Sequence, residues 1–131
     1  MKNLQLSLIN KWFEITKAVI KTEDYRNITP YWCNRFILVH GEIKPKSWWN
    51  KKQEHHGFAD WIVANIGIGN FSFIGFTQNT MTLGYPKSTD TERIIKFEHK
   101  GIEIRTGNHE WGAEEGKLYF VIKHGNPINN L

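Results

Sequence analysis

A chain of 131 residues is one domain's worth of polypeptide, long enough to bury a core without metal or disulfide staples. With 40% hydrophobic and 23% charged residues, the composition excludes a disordered tail, a collagen-like repeat and a membrane-embedded chain. Seventeen Lys and Arg against thirteen Asp and Glu leave a net charge of +4, compatible with a polyanionic partner. Cys33 is the single cysteine, so an intramolecular disulfide and a four-cysteine zinc site are both excluded. Six Trp are many for this length.

The first eight residues alternate polar and apolar side chains. A signal peptide needs an unbroken apolar core of ~7–15 residues, which they lack. The most apolar stretch, 61–76, is interrupted by Asn65, Asn70 and three Gly, short of the ~20 apolar residues of a spanning helix. The expectation is a soluble cytoplasmic protein (host cytoplasm if the chain is viral) with no membrane partner.

In chain order, Leu4, Leu6 and Leu8 alternate with polar residues and predict a half-buried strand. Asn10 is expected to cap a helix running to about Ile20, with Trp12, Phe13, Thr16, Val19 and Ile20 on its apolar face. Residues 21–26 read as a second strand, with Thr22, Asp24 and Arg26 on one face and Lys21, Glu23 and Tyr25 on the other. Thr29-Pro30 is a helix start, a hydroxyl cap followed by Pro at the first helical position. That short helix would carry Tyr31, Trp32 and Arg35. A strand over 36–40 follows, closed by Gly41, then a polar, basic segment over 44–56 in which Ser47 would cap a short helix. Residues 58–68 and 70–83, rich in Ile, Val, Phe and Thr, predict strands. Ile94, Ile95, Phe97 and then Ile102, Ile104 flank Lys100-Gly101, a hairpin signal. A loop rich in Gly and acid over 107–116 and a closing strand over 118–123 complete the chain. Many short strands with one long early helix imply an α+β fold, a compact mixed β-barrel.

Three polar or aromatic clusters carry potential chemistry. Lys21, Asp24 and Arg26 follow the first helix directly. A buried Lys held near a carboxylate can act as a base, and the Arg fork suits phosphate. The alternative is a solvated strand with cross-strand ion pairs. Tyr31, Trp32 and Arg35 form the second cluster. Trp48 and Trp49 among Lys44, Lys46, Lys51 and Lys52 form the third. Rings beside cations are what single-stranded nucleic acid binding needs: rings stack bases and cations meet phosphates. Adjacent Trp48 and Trp49 cannot both face one core, so at least one is expected at a surface. Tyr25 and Trp111 are candidates to line a cleft, Trp111 as a wedge or as the buried pin of its loop. The histidines, His55-His56 included, show no metal spacing, so no metal and no cofactor are expected.

Leu6-Ser7-Leu8, 11–15 (Lys-Trp-Phe-Glu-Ile), 21–26 (Lys-Thr-Glu-Asp-Tyr-Arg) and Tyr31-Trp32 through Arg35 resemble the start of ASCH-domain proteins of the PUA-like superfamily. Small ASCH-like proteins of phages and gut bacteria are particularly similar. Their signature is G-x-K-x-x-E-x-R after the first helix. Here Lys21 and Arg26 match, Asp24 replaces the Glu, and Val19 replaces the Gly, so the motif's turn must be made another way. Residues 110–116 with 119–123 resemble the closing segment of that subgroup, whereas about 41–88 does not align.

The resemblance implies a single ASCH-like domain over 1–131, a small PUA-like mixed β-barrel with flanking helices and a cleft beside the motif strand. It implies binding of RNA or a modified nucleotide. One ASCH group deacetylates acetylcytidine with a Lys, a Thr and a Glu, and some relatives are reported to cleave RNA. Asp24 stands where that group has Thr, and a carboxylate does not repeat the hydroxyl's nucleophilic role. Glu98, Glu103 and Glu110 remain open for the distant Glu.

The leading expectation is therefore an RNA- or nucleotide-binding domain. Lys21 and Arg26 would contact phosphate or a base edge, and Arg35 would lie nearby. Trp32, Trp48 or Trp49 would stack a base, and Lys44, Lys46, Lys51 and Lys52 would track the backbone. One alternative is a hydrolase on a modified nucleoside or RNA, with Lys21 as base and Asp24 as proton shuttle. Another is a non-catalytic protein-interaction factor, marked by an exposed apolar patch around Trp48 and Trp49.

Overall fold

The computed structural model describes residues 2–54 and 57–128, so the His55-His56 pair lies outside the described residues. The chain is mixed α+β and forms two compact units. The first comprises Met1–Asp24, Gly75–Gly101 and Ile122–Leu131; the second comprises Tyr25–Ile74 and Ile102–Val121.

The first unit begins with β1 (Asn3–Leu8), whose Leu4, Leu6 and Leu8 are buried as the alternation predicts. Burying each such side chain contributes ~1.5–3 kcal/mol. β1 pairs in parallel with β6 (Gln78–Leu83), which pairs antiparallel with β7 (Ile94–Thr106). Leu6 lies opposite Met81, and Met81 opposite Ile95, so one sheet face is apolar. Asn79, beside Leu4 and Phe97 on that same face, is the polar exception and is fully buried.

Helix α1 (Asn10–Lys17) is shorter than expected. Asn10 is its first residue rather than its cap, and Ile9 holds the cap position without a side-chain bond. Phe13 and Thr16 are buried, but Val19 and Ile20 lie beyond the helix and are exposed. The stop is a Schellman motif: Ile20 N–H donates to Ile15 O and Val19 N–H to Thr16 O, both at 3.0 Å. Val19 takes φ 60°. It occupies the left-handed position where the resembling signature has Gly, so the turn is made in the way a Gly would make it, by a β-branched residue.

The motif strand is also shorter. β2 is Glu23–Arg26, so Lys21 and Thr22 precede it and strand alternation does not govern them. This is why Lys21 meets Asp24, although a continuous strand would put them on opposite faces. The strand order in this sheet is β1-β6-β7-β8-β2, with β8 spanning Leu118–Pro127. The hairpin expected at Lys100-Gly101 is absent: β7 runs through both residues, and Gly101 at φ 110° lets it continue. Lys-Gly carries a turn signal by itself, and strand pairing in the sheet overrides it.

In the second unit, α2 (Pro30–Phe36) starts as expected, with the Thr29 hydroxyl accepting from Trp32 N–H. β3 (Ile37–Val39) turns through His40 and Gly41, both at positive φ, into β4 (Glu42–Ile43). β3 also pairs with β5 (Phe71–Phe73), giving a three-stranded sheet. Helix α3 (Lys46–Gln53) is capped at Pro45, not by Ser47. Residues 58–67, expected as a strand, form helix α4 (Phe58–Gly67). Phe58, Trp61, Ile62 and Asn65 fall at i, i+3, i+4 and i+7 and are its buried or half-buried face. The β-branched content of the segment masked that period.

Among the described residues, no helix is long and apolar enough to cross a membrane.

Candidate functional site

The Val19 turn delivers Lys21 into the first unit, where its side chain is almost completely buried. The Lys21 ammonium donates to Asp24 Oδ1 and to Glu23 O, each at 2.8 Å. It also lies 5.8 Å from the Trp12 ring centroid. The solvated-strand alternative for Lys21 and Asp24 is thereby corrected: the pair is internal. An ion pair taken out of water persists only when further hydrogen bonds satisfy it, and the Glu23 carbonyl supplies one.

Behind this pair lies a polar chain that no local motif announces. His124 N–H donates to Thr22 O at 3.0 Å, which fixes its position on β8. Asn79 Nδ2 lies 3.3 Å from Lys123 O and 2.8 Å from His124 Nδ1. Because a carbonyl must be met by a donor, Lys123 O sets the Asn79 amide orientation. His124 Nδ1 is then an acceptor and its proton sits on Nε2. Asn79 Oδ1, 2.6 Å from His99 Nδ1, accepts from that ring. His124 Nε2 is buried without a hydrogen-bond partner among the described residues.

Burial pushes the His124 pKa down to about 4, with Asp24 opposing the shift and Lys21 and His99 reinforcing it. Burial also lowers His99, and Lys123 adds to that. Both rings are therefore neutral near pH 7. Sequence separations of 20 and 45 residues between Asn79 and its two histidines explain why spacing did not reveal them.

The second unit holds the aromatic and basic residues. Arg26 lies over the Trp32 ring at 5.3 Å and Arg35 over Tyr31 at 4.2 Å. Tyr31 and Trp32 meet edge to face, and Trp32 stacks on Phe36. Tyr31 is exposed and Trp32 half-buried. Lys44 and Lys52 flank the half-buried Trp48 ring at 5.8 and 5.1 Å. Lys46 and Lys51 are exposed on the same helix.

Trp49 is different. It is fully buried against Phe58, Trp61 and Phe71, so it offers no ring face to a base and is a core residue. The expectation that at least one of the pair lies at a surface is met by Trp48.

Tyr25 is half-buried and packs on Tyr119, and its hydroxyl accepts from Asn108 N–H at 2.7 Å. The Tyr119 hydroxyl accepts from Glu114 N–H. Ala113 is buried between these anchors. The 107–116 loop is thus pinned by two tyrosines and an alanine, while Trp111 is only half-buried and is not its buried pin.

Among the described residues, no three His, Cys, Asp or Glu side chains are grouped to hold a metal ion. Comparison with family models, curated proteins and solved structures finds no match.

Proposed function

We propose that the chain is an ASCH-like domain that binds single-stranded RNA, through the aromatic and basic surface of the second unit. One observation carries this reading. Three rings that are not sealed in the core, Tyr31, Trp32 and Trp48, each have a cation within 4.2–5.8 Å of the ring centroid. Such a ring would stack a base, worth ~1–3 kcal/mol, once the cation over it swings aside onto a neighbouring phosphate. The ASCH-like signature around Lys21 and Arg26 supports the same substrate class. Fluorescence titration of a labelled single-stranded RNA at two salt concentrations tests it. Binding should weaken with salt and fall in Trp48→Ala and Tyr31→Ala; unchanged binding in both variants would sink the reading.

A second reading, hydrolysis of a modified nucleoside at Lys21 and Asp24, is favoured by their buried contact at 2.8 Å. Its weakness is the Lys21 ammonium, which is already donating to two oxygens. Product release from acetylcytidine, absent in Asp24→Asn, would establish it.

A further inference from the structure

The face of the first sheet opposite the core carries a basin that the RNA-binding surface does not include. The register builds it. Gln5 lies opposite Thr80, and Thr80 opposite Lys96; Thr82 lies opposite Ile94. Asn3 and Gln5 of β1, Thr80 and Thr82 of β6, and Ile94 and Lys96 of β7 therefore point to one side. The β6–β7 connection adds Pro86, Ser88 and Thr91 as a rim, enclosing about 300 Å³. Thr80 and Thr82 are buried beneath it although they face away from the apolar layer.

The lining has a definite chemistry. Among the described residues, Lys96 is the one charged residue in the lining, and no carboxylate lines it. The Thr80 hydroxyl donates to Asn3 Oδ1 at 2.7 Å, and the Thr82 hydroxyl to Gly84 O at 2.8 Å. With its oxygen taken, Asn3 has its NH₂ to give, alongside the Gln5 amide, the Ser88 and Thr91 hydroxyls and the Lys96 ammonium. A set of neutral donors around one cation matches a phosphate monoester, because the donors meet its oxygens and the cation its charge. The Thr80 oxygen accepts from Gln78 Nε2 at 3.5 Å, which leaves the Thr82 oxygen and the Gln5 carbonyl as acceptors for hydroxyls. The volume is at the small end of ligand pockets, which suits a mononucleotide rather than a polymer. Next to Pro86 of the rim in the chain stands Tyr85, 97% exposed.

We infer that this basin binds a nucleoside monophosphate, with Lys96 and the donors on the phosphate and Tyr85 covering the base. This site lies wholly in the first unit and stands or falls independently of RNA binding by the second. Amide NMR titration of the full chain tests it, using adenosine 5′-monophosphate, ribose 5-phosphate and uncharged ribose. The two phosphate esters should move the Thr80, Thr82, Ser88, Thr91 and Lys96 signals saturably, and ribose should not. Lys96→Gln should weaken both esters at least about tenfold, the loss expected for a charge-assisted contact. Gln5→Leu, at an exposed position, should weaken them less and serves if Lys96→Gln fails to fold. Tyr85→Ala should weaken the nucleotide and leave ribose 5-phosphate unchanged. Absence of shifts with either ester, equal shifts with ribose, or full nucleotide affinity in Tyr85→Ala would each overturn the assignment.

Discussion

The Lys21 ammonium sits 2.8 Å from Asp24 Oδ1 with both side chains nearly sealed from solvent, at 1% and 6% exposure. The two residues are three apart, and they meet because the chain leaves α1 through a left-handed turn before β2 begins.

Removing one partner of a buried pair strands the other charge. Lys21→Met is expected to cost about 3–5 kcal/mol, measured as a lower urea midpoint. Combining it with Asp24→Leu should recover most of that loss, because no unpaired charge remains. A double variant no more stable than Lys21→Met would contradict the argument.

Val19 is half-exposed and holds φ 60°, so it contributes strain with little packing. A left-handed backbone costs an L-residue roughly 1–2 kcal/mol, and Gly is exempt. Val19→Gly is accordingly expected to raise stability by about 1 kcal/mol, partly offset by the entropy of the unfolded Gly. Val19→Ala should give no comparable gain.

The His124 ring binds a proton near 6.5 in the unfolded chain but only near 4 in the folded one. Between those values the unfolded chain holds a proton that the folded chain refuses. Stability is therefore fully present above about 6.5, falls as pH drops through the window, and has lost this contribution below about 4. The loss is bounded at ~3 kcal/mol by the linkage relation. His99 shifts in the same direction. His124→Asn keeps an acceptor for Asn79 and removes the titration, so its denaturation midpoint should depend less on pH than that of the wild type.

Trp48 and Trp49 are adjacent but answer to different forces. Trp49→Ala empties the centre of an aromatic cluster and should cost about 3–5 kcal/mol of stability. Trp48→Ala should cost less stability and, on the proposed RNA-binding reading, should lower RNA affinity. Equal losses of stability would show that both are core.

Gly107 has no room for a side chain. An added Cβ would lie 2.7 Å from Ala113 Cβ and 2.8 Å from the Tyr25 ring. Gly107→Ala should destabilise by about 1–3 kcal/mol in thermal unfolding and loosen the loop that Tyr25 pins.

The sequence alone determined whatever depends on neighbours along the chain. The period-2 pattern of Leu4, Leu6 and Leu8, the Thr29-Pro30 helix start and the closing strand through Phe120 all appear in the structure. The conspicuous rings and cations were legible too, since composition and adjacency mark them. Short apolar segments were not. The stretch over 58–67 has the residue types of a strand and the burial of a helix, and only its packing neighbours Trp49 and Phe71 decide between them. Lys100-Gly101 has the types of a turn, but strand pairing carries β7 straight through.

The sites divide in the same way. Lys21 and Asp24 could be named from spacing, but their union required a helix stop that the Val19 side chain argues against. Asn79, His99 and His124, and the basin around Lys96, come from strand register, which joins residues tens of positions apart. Local patterning follows from backbone sterics and burial on one element; sites follow from which elements lie side by side, a long-range choice that the tertiary structure alone makes.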